Sequence, residues 1–526
     1  MLPRDMLARC AGNYPQKVAY YCGDDQRTWR QMHERSNALA SALQELGVRK
    51  GDVVSILGNE SIDIYEHYFA CMKIGAIRVG VNWRFAMSEI LHVLRDSSTK
   101  VLFVQTNCID MEPLWRDIEA LGIRLIGYGG KHDLPLDYET LLSEVASASP
   151  TLPPLSEDDD LFISYTSGTT GHSKGAMLTH GAVAKSIFQS VINGGFSPGD
   201  IWYMPTQSAW ITVVMGTFGL GNGMSQVISK GGFDPAQFLR DVSKLRVTTA
   251  VLPPVMLSRV IQEYKSGTYD FSSMRVLTFG SSPAAPKLIR DAYATFGCEL
   301  NQPYAMTENA GCWVTCFPPA DYRHALEHEP ALLASVGRVG VMCEISIRDR
   351  DGKPVPVDVE GEVWIKSETI MKGYVNLPEQ TAETLHDGWL STNDIGRMDE
   401  RGYLYLMDRK KFMIITGGVN VFPAAVEAVV IEHPAVDEVA VVGVPSPEWG
   451  EAVVGIVKLK DGITPPVVQE LISFCQQRLG KVQSPKHFLF IDELPRTSTG
   501  KVQKHRVREW VFANVDLLPW KMDDTD

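Results

Sequence analysis

The chain has 526 residues, 44% hydrophobic and 21% charged, the proportions of a globular protein rather than a disordered one. Its 50 Lys and Arg stand against 63 Asp and Glu, a net charge of −13 that argues against a nucleic-acid binder. Nine scattered cysteines, an odd number, make no disulfide framework and fit a reducing compartment.

The first residues, 1–9, carry charge where a secretion signal needs an apolar stretch. The last four, Asp523-Asp-Thr-Asp526, are neither a peroxisomal nor a prenylation signal, so a cytoplasmic protein is expected. From residue 30 to about 300, amphipathic helices alternate with short apolar runs. Apolar residues recur at helical spacing over 29–46, and 52–57 reads as a buried strand. Helix is expected again over 64–75 and 87–94, strand over 77–81 and 100–104. Such alternation predicts an α/β fold with largely parallel sheets. Residues 201–229 contain no charged side chain, but Pro205 and four glycines spoil a membrane span, and a buried helix lining a pocket is expected instead. Between 335 and 375, short strands and turns predict a β-rich subdomain. A separate small α+β unit is expected from Arg409, with strands at 438–443 and 455–459 and a helix near 467–479. It holds 14 basic and 15 acidic residues, and 478–510 alone holds 8 basic and 3 acidic, a patch suited to a small anionic ligand. The domains are therefore 1–408 and 409–526.

The most informative segment is Leu161-Phe-Ile-Ser-Tyr-Thr-Ser-Gly-Thr-Thr-Gly-His-Ser-Lys-Gly175. An apolar strand enters a run of small hydroxyl residues and glycines with a lysine inside it. Convergent backbone N–H groups, hydroxyls and one ammonium suit a polyphosphate. The pattern from Gly168 to Lys174 is G-x-x-G-x-x-K, which differs from the P-loop string. Three other strings carry less. Gly195-Phe-Ser-Pro-Gly199 matches a hydrolase nucleophile elbow but precedes a strand-like run instead of a helix. His324 and His328 have helical zinc spacing without an obvious third ligand, and Cys312 and Cys316 lack a second cysteine pair.

Residues 165–175 resemble the phosphate-loop signature of the adenylate-forming superfamily, which includes acyl- and aryl-CoA synthetases, firefly luciferase and peptide-synthetase adenylation domains. Four further motifs follow in the family's order: Tyr304-Ala-Met-Thr-Glu308, Gly388-Trp-Leu-Ser-Thr-Asn-Asp394, Asp408-Arg-Lys-Lys-Phe-Met-Ile-Ile-Thr-Gly-Gly418 and Pro495-Arg-Thr-Ser-Thr-Gly-Lys501. Ser173 stands where the family usually has proline, Asn393 where it has glycine, and Phe412 where it has an acidic residue.

The resemblance implies that a carboxylate attacks the α-phosphate of ATP to give acyl-AMP and pyrophosphate, and that a thiol then displaces AMP. Thr166, Ser167, Gly168, Thr169, Thr170, Gly171 and Lys174 would hold the β and γ phosphates. Glu308 would hold Mg²⁺ and Thr307 would donate to the α-phosphate. Tyr304 would stack on adenine, with Gly280, Ser281 and Ser282 on the opposite face. Asp394 and Arg409 would meet the ribose. Lys501 would offset charge at the reacting oxygens. The small domain would be mobile, turning about Lys411, with Gly417, Gly418 and Trp449 near CoA.

The uncharged 201–229 stretch, with Trp202, Tyr203, Trp210 and Val213, would line the acid pocket. It lacks the aspartate of amino-acid-activating relatives, so a hydrophobic or aromatic acid is expected. Alternatives remain a stand-alone enzyme loading a carrier protein and a luciferase-like enzyme. No carrier domain follows residue 526, which favours the CoA ligase.

Overall fold

The computed structural model describes residues 1–106, 112–145, 149–166, 173–264, 269–282, 284–409, 412–416, 419–463, 465–466, 468–496 and 502–520. They pack into two units, Met1–Ile345 with Ile365–Ser391, and Ser346–Trp364 with Thr392–Asp526.

The first unit is built on two sheets. One has nine strands in the order Arg338–Val339, Thr315–Phe317, Glu299–Tyr304, Val276–Thr278, Thr249–Val251, Ile201–Met204, Ser225–Ile228, Val18–Cys22 and Asp25–Thr28. Its six central strands are parallel, with antiparallel pairs at both edges. The other has seven strands, Gly373–Tyr374, Lys174–Thr179, Asp160–Thr166, Ile77–Val81, Val53–Leu57, Thr99–Gln105 and Arg124–Tyr128. Val53–Leu57 is buried at every position, because helices cover both faces of a parallel sheet and the strand must be apolar throughout.

The helical periodicity translates directly into helices. Trp29–Glu45 starts at a capping box: the Gln31 N–H donates to Thr28 Oγ1 at 3.2 Å, and the Thr28 N–H donates to Gln31 Oε1 at 2.8 Å. Ile62–Ile74 and Met87–Asp96 each extend their expected spans by a turn or less. The single helix expected within 201–229 is not formed. That stretch is the strand Ile201–Met204, one-turn helices Thr212–Met215 and Gly219–Asn222, and the strand Ser225–Ile228. Pro205 ends the first strand, and the glycines let the short turns pack against bulky neighbours. A Cβ at Gly216 would lie 2.1 Å from the Tyr65 hydroxyl. Among the described residues no helix is long and apolar enough to cross a membrane.

In the second unit, Val419–Val421, Ile414–Thr416, Gly450–Leu459 and Val436–Ser446 form an antiparallel sheet, and His487–Phe490 adds in parallel to Gly450–Leu459. Strand alternation sends Val441, Val453 and Val457 to one core with helices Pro423–Val430 and Val468–Gln483. It sends Val442, Val454 and Ile456 to another with Val507 and Val511 of helix Lys504–Ala513.

One buried charge cross-links the N-terminal helices. Glu66 is wholly buried; its Oε1 accepts from Arg35 Nε at 2.7 Å, its Oε2 accepts from the Tyr138 hydroxyl at 2.7 Å, and Arg27 stands 3.4 Å away. Removing the carboxylate strands both donors, so Glu66→Ala should destabilise the first unit by about 3 kcal/mol. The check is a lower urea midpoint for its unfolding step, with Arg35→Ala also destabilising and the double variant costing less than the sum.

Candidate active site

An open α/β sheet presents ligand sites beyond the carboxyl ends of its parallel strands. Thr166 ends the strand Asp160–Thr166 there and lies opposite Lys174, first residue of the antiparallel return. This pairing holds the two ends of the glycine-rich loop side by side. Ser167, Gly168, Thr169, Thr170 and Gly171 lie outside the described residues.

Ser173 explains why the loop tolerates the absence of proline. Its N–H donates to Glu89 Oε1 at 3.0 Å and its hydroxyl donates to the same oxygen. Proline could supply neither donor.

The short strand Gly373–Tyr374 adds to the edge formed by Lys174–Thr179, with Tyr374 opposite Ala176. The Lys372 N–H donates to the Met177 carbonyl at 2.9 Å and the Val375 N–H to the Gly175 carbonyl at 2.8 Å. This register sets the Lys174 ammonium 5.7 Å from the centre of the Tyr374 ring, within cation–π range. The Tyr374 hydroxyl in turn donates to Glu308 Oε1 at 2.9 Å. Glu308 lies in the single 3-10 turn Thr307–Asn309, whose position is fixed by the Met371 N–H donating to the Glu308 carbonyl at 2.7 Å. Lys174, Tyr374 and Glu308 therefore form a continuous line of cation, ring, hydroxyl and carboxylate. A lysine beside one carboxylate fits a triphosphate and a divalent cation: the ammonium would meet phosphate oxygen, and Glu308 would hold Mg²⁺. Tyr374 carries no motif signal, and sequence reasoning missed it.

Tyr304 ends the strand Glu299–Tyr304 and is mostly buried, with its backbone opposite Thr315. Gly280 follows the neighbouring strand Val276–Thr278, and a Cβ there would come 3.3 Å from the Pro303 carbonyl. Ser281 adopts a positive φ of 69° and is exposed, whereas Ser282 is partly buried. The structure thus brings Gly280 beside the end of the strand that carries Tyr304.

The acid-pocket candidates divide. Trp202 packs into an aromatic cluster with Phe196 at 5.0 Å, Phe218 at 5.9 Å and, through them, Trp313. Tyr203 leaves the opposite face of the same strand; its hydroxyl donates to Asp241 at 3.1 Å and its ring meets Phe238 at 4.9 Å. The structure does not bring these two together. Trp210 is half-buried against Phe85, ring centres 5.5 Å apart and nearly perpendicular, and Val213 is fully buried one turn later.

In the second unit, Asp394 is buried and its backbone lies opposite Arg409 in the antiparallel pair of Trp389–Met398 with Leu404–Arg409. The Asp394 N–H donates to Thr392 Oγ1 at 3.0 Å, and Thr392 Oγ1 donates to the Val363 carbonyl at 2.6 Å. Asn393 adopts φ 59°, the left-handed conformation for which glycine is the usual choice and asparagine the common substitute. Phe412 accepts the Lys504 ammonium 5.5 Å from its ring, and Lys504 also stands 3.0 Å from Glu427 and 3.5 Å from Asp408. Trp449 is covered by the Lys486 ammonium at 4.2 Å. The side chain of Arg409 and residues Lys411, Gly417, Gly418 and Lys501 lie outside the described residues.

Comparison with known proteins places the chain in a family. The family described as AMP-binding enzyme matches residues 7–375, and the AMP-binding enzyme C-terminal domain matches 425–501. A fatty acid–[acyl-carrier-protein] ligase, ScoC, from Streptomyces coeruleorubidus is 32% identical over 95% of this chain and 94% of its own length. An indoleacetate–CoA ligase from Aromatoleum aromaticum is 32% identical over 96% of this chain and 98% of its own. The solved o-succinylbenzoate CoA synthetase from Bacillus subtilis, in complex with its acyl-adenylate intermediate, superposes with a TM-score of 0.84 at 27% identity, covering 96% of this chain and 97% of that one. The two family matches together span most of the chain, and the chain belongs to the AMP-binding enzyme family.

Proposed function

We propose that the protein is an ATP-dependent carboxylic acid:CoA ligase acting on a hydrophobic or aromatic acid. The observation that carries the reading is the Lys174–Tyr374–Glu308 line at the carboxyl ends of the strands. In the first half-reaction a carboxylate oxygen bonds to the α-phosphorus and pyrophosphate departs with the electron pair of the broken bond. Both reactants are anionic, so fixed positive charge and oriented donors must meet the developing charge.

In this reading Thr166 through Gly171 and Lys174 hold the β and γ phosphates. Thr307 donates to the α-phosphate, and Glu308 would hold Mg²⁺, whose charge would offset that of the phosphate oxygens. Tyr304 and residues 280–282 enclose adenine, while Asp394 and Arg409 accept and donate at the ribose. Lys501 bridges the reacting carboxylate and α-phosphate. In the second half-reaction a CoA thiolate attacks the acyl carbon and AMP leaves. Gly417, Gly418 and Trp449 line the thiol arm, and the unit 409–526 turns about Lys411 between the two steps. The protein works in the cytoplasm.

The uncharged 201–229 stretch supports an apolar acid, and the named acids of two relatives, a fatty acid and indoleacetate, are of that kind, whereas o-succinylbenzoate carries a second carboxylate. The Streptomyces relative favours a second reading for the acceptor, a carrier-protein thiol in place of CoA. Both readings share the first half-reaction.

Two variants test the assigned roles. Lys501→Ala should lower acid-dependent ATP–pyrophosphate exchange by at least about 100-fold, the scale of losing a transition-state charge partner. It should leave thioester formation from supplied acyl-AMP within about threefold of the parent; unchanged exchange would refute the assignment. Tyr374→Phe keeps the ring under Lys174 and removes only the donor to Glu308. A hydrogen bond to a charged group is worth about 1.5–3 kcal/mol, so kcat/KM for ATP should fall by at least about 10-fold. The Mg²⁺ concentration for half-maximal exchange should rise with it, while the KM for the acid stays unchanged.

A further inference from the structure

We propose that Glu60 is a positioning residue for the acid pocket, holding the segment Gln207-Ser-Ala-Trp210 in place from beneath; this rests on the assignment of that segment to the pocket. Glu60 lies between the buried strand Val53–Leu57 and the helix Ile62–Ile74, and its side chain is almost wholly enclosed. Its Oε1 accepts two hydrogen bonds from one residue 148 positions away, from the Ser208 N–H at 2.8 Å and the Ser208 hydroxyl at 3.0 Å. Ser208 itself is fully buried. A carboxylate that takes both donors of a single residue fixes its backbone as well as its side chain.

The adjoining strand supplies the second half of the clamp. Arg78 on Ile77–Val81 is fully buried, its guanidinium 5.2 Å from the Phe162 ring centre and 5.8 Å from that of Tyr68. Burial raises the Glu60 carboxyl to about 7, even though the two Ser208 hydrogen bonds and, behind them, the Arg78 charge favour its ionised form. Two residues on, Gly80 leaves room for the loop to lie on the strand. A Cβ there would fall 2.8 Å from the Ala209 Cα and 2.9 Å from its carbonyl oxygen. Ser208 is therefore held by hydrogen bonds and Ala209 by close backbone approach, and the next residue is Trp210.

Trp210 leaves this clamped pair and packs edge-on against Phe85 at 5.5 Å. The buried Nε1 of Trp210 and Oε1 of Gln207 have no hydrogen-bond partner among the described residues. Buried polar atoms are ordinarily paired, so these two are the atoms a substrate or its water would meet. A loop that carries such groups needs an anchor outside the pocket, and Glu60 is that anchor.

The test compares Glu60→Leu, which removes the acceptor, with Glu60→Gln, which keeps an oxygen in its place. A series of fatty and aryl acids is scored by acid-dependent pyrophosphate release from ATP. Glu60→Leu should raise the KM for the preferred acid at least about 10-fold and flatten the preference across the series, with the KM for ATP within about twofold, the split expected of lost uniform binding at one site. Glu60→Gln should restore the acid KM to within about threefold of the parent. Where Glu60→Leu fails to fold, Ser208→Ala removes the hydroxyl arm alone and should shift the acid KM by about threefold in the same direction. Acid KM and preference that stay at the parent's values in a folded variant, or acid and ATP KM rising together, overturn the proposal. Trp210→Ala separates the two levels. If it changes the acid KM while the Glu60 variants do not, the pocket stands and the anchor falls; if Trp210→Ala changes nothing, both fall.

Discussion

The geometry of the candidate site hangs on one antiparallel seam. Gly373–Tyr374 lies along Lys174–Thr179, and the main-chain bonds from Lys372 and Val375 set their register. A slip of one residue would turn Tyr374 to the other face and part the lysine from the carboxylate. The Met371 N–H ties the same segment to the Glu308 carbonyl. Three backbone hydrogen bonds thus decide where a cation, a hydroxyl and a carboxylate meet. The opposite edge of Lys174–Thr179 pairs with the strand ending at Thr166, so the glycine-rich loop is anchored by the same structure that aligns the charged side chains.

The departures from the family's motifs each have a physical account. Ser173 replaces proline, and the two donors it gains are both used by Glu89. Asn393 replaces glycine at a left-handed position, the substitution that costs least there. Phe412 replaces an acidic residue of the family's pattern, and its ring takes one side of a lysine already paired with Glu427 and Asp408.

Much of the architecture could be read from the chain, because its signals are local. The capping box at Thr28 and Gln31 and the unbroken apolar run of Val53–Leu57 act over a few residues, and each formed the element its pattern predicts. The stretch 201–229 departs from the expected single helix for an equally physical reason: uncharged composition signals burial, but it does not tell one helix from two short strands flanking one-turn helices. The ordered motifs pointed to Glu308, Tyr304 and Asp394, whereas Tyr374 and Glu60 were invisible. Their partners lie 66 and 148 residues away, and a tyrosine or glutamate carries no sign of so distant a neighbour. Trp202 and Tyr203 show the limit from the other side: adjacent in sequence, they face opposite sides of their strand.

The central claim is that the chain couples ATP cleavage between the α and β phosphates to the activation of an acid and its transfer to a thiol. The most direct measurement follows the nucleotide and the acyl product together, with ATP, Mg²⁺, CoA and one apolar acid in a single reaction. The account predicts one AMP, one pyrophosphate and one acyl-CoA per acid consumed. ADP and inorganic phosphate as the products, or AMP formed at the same rate without any acid, would contradict it.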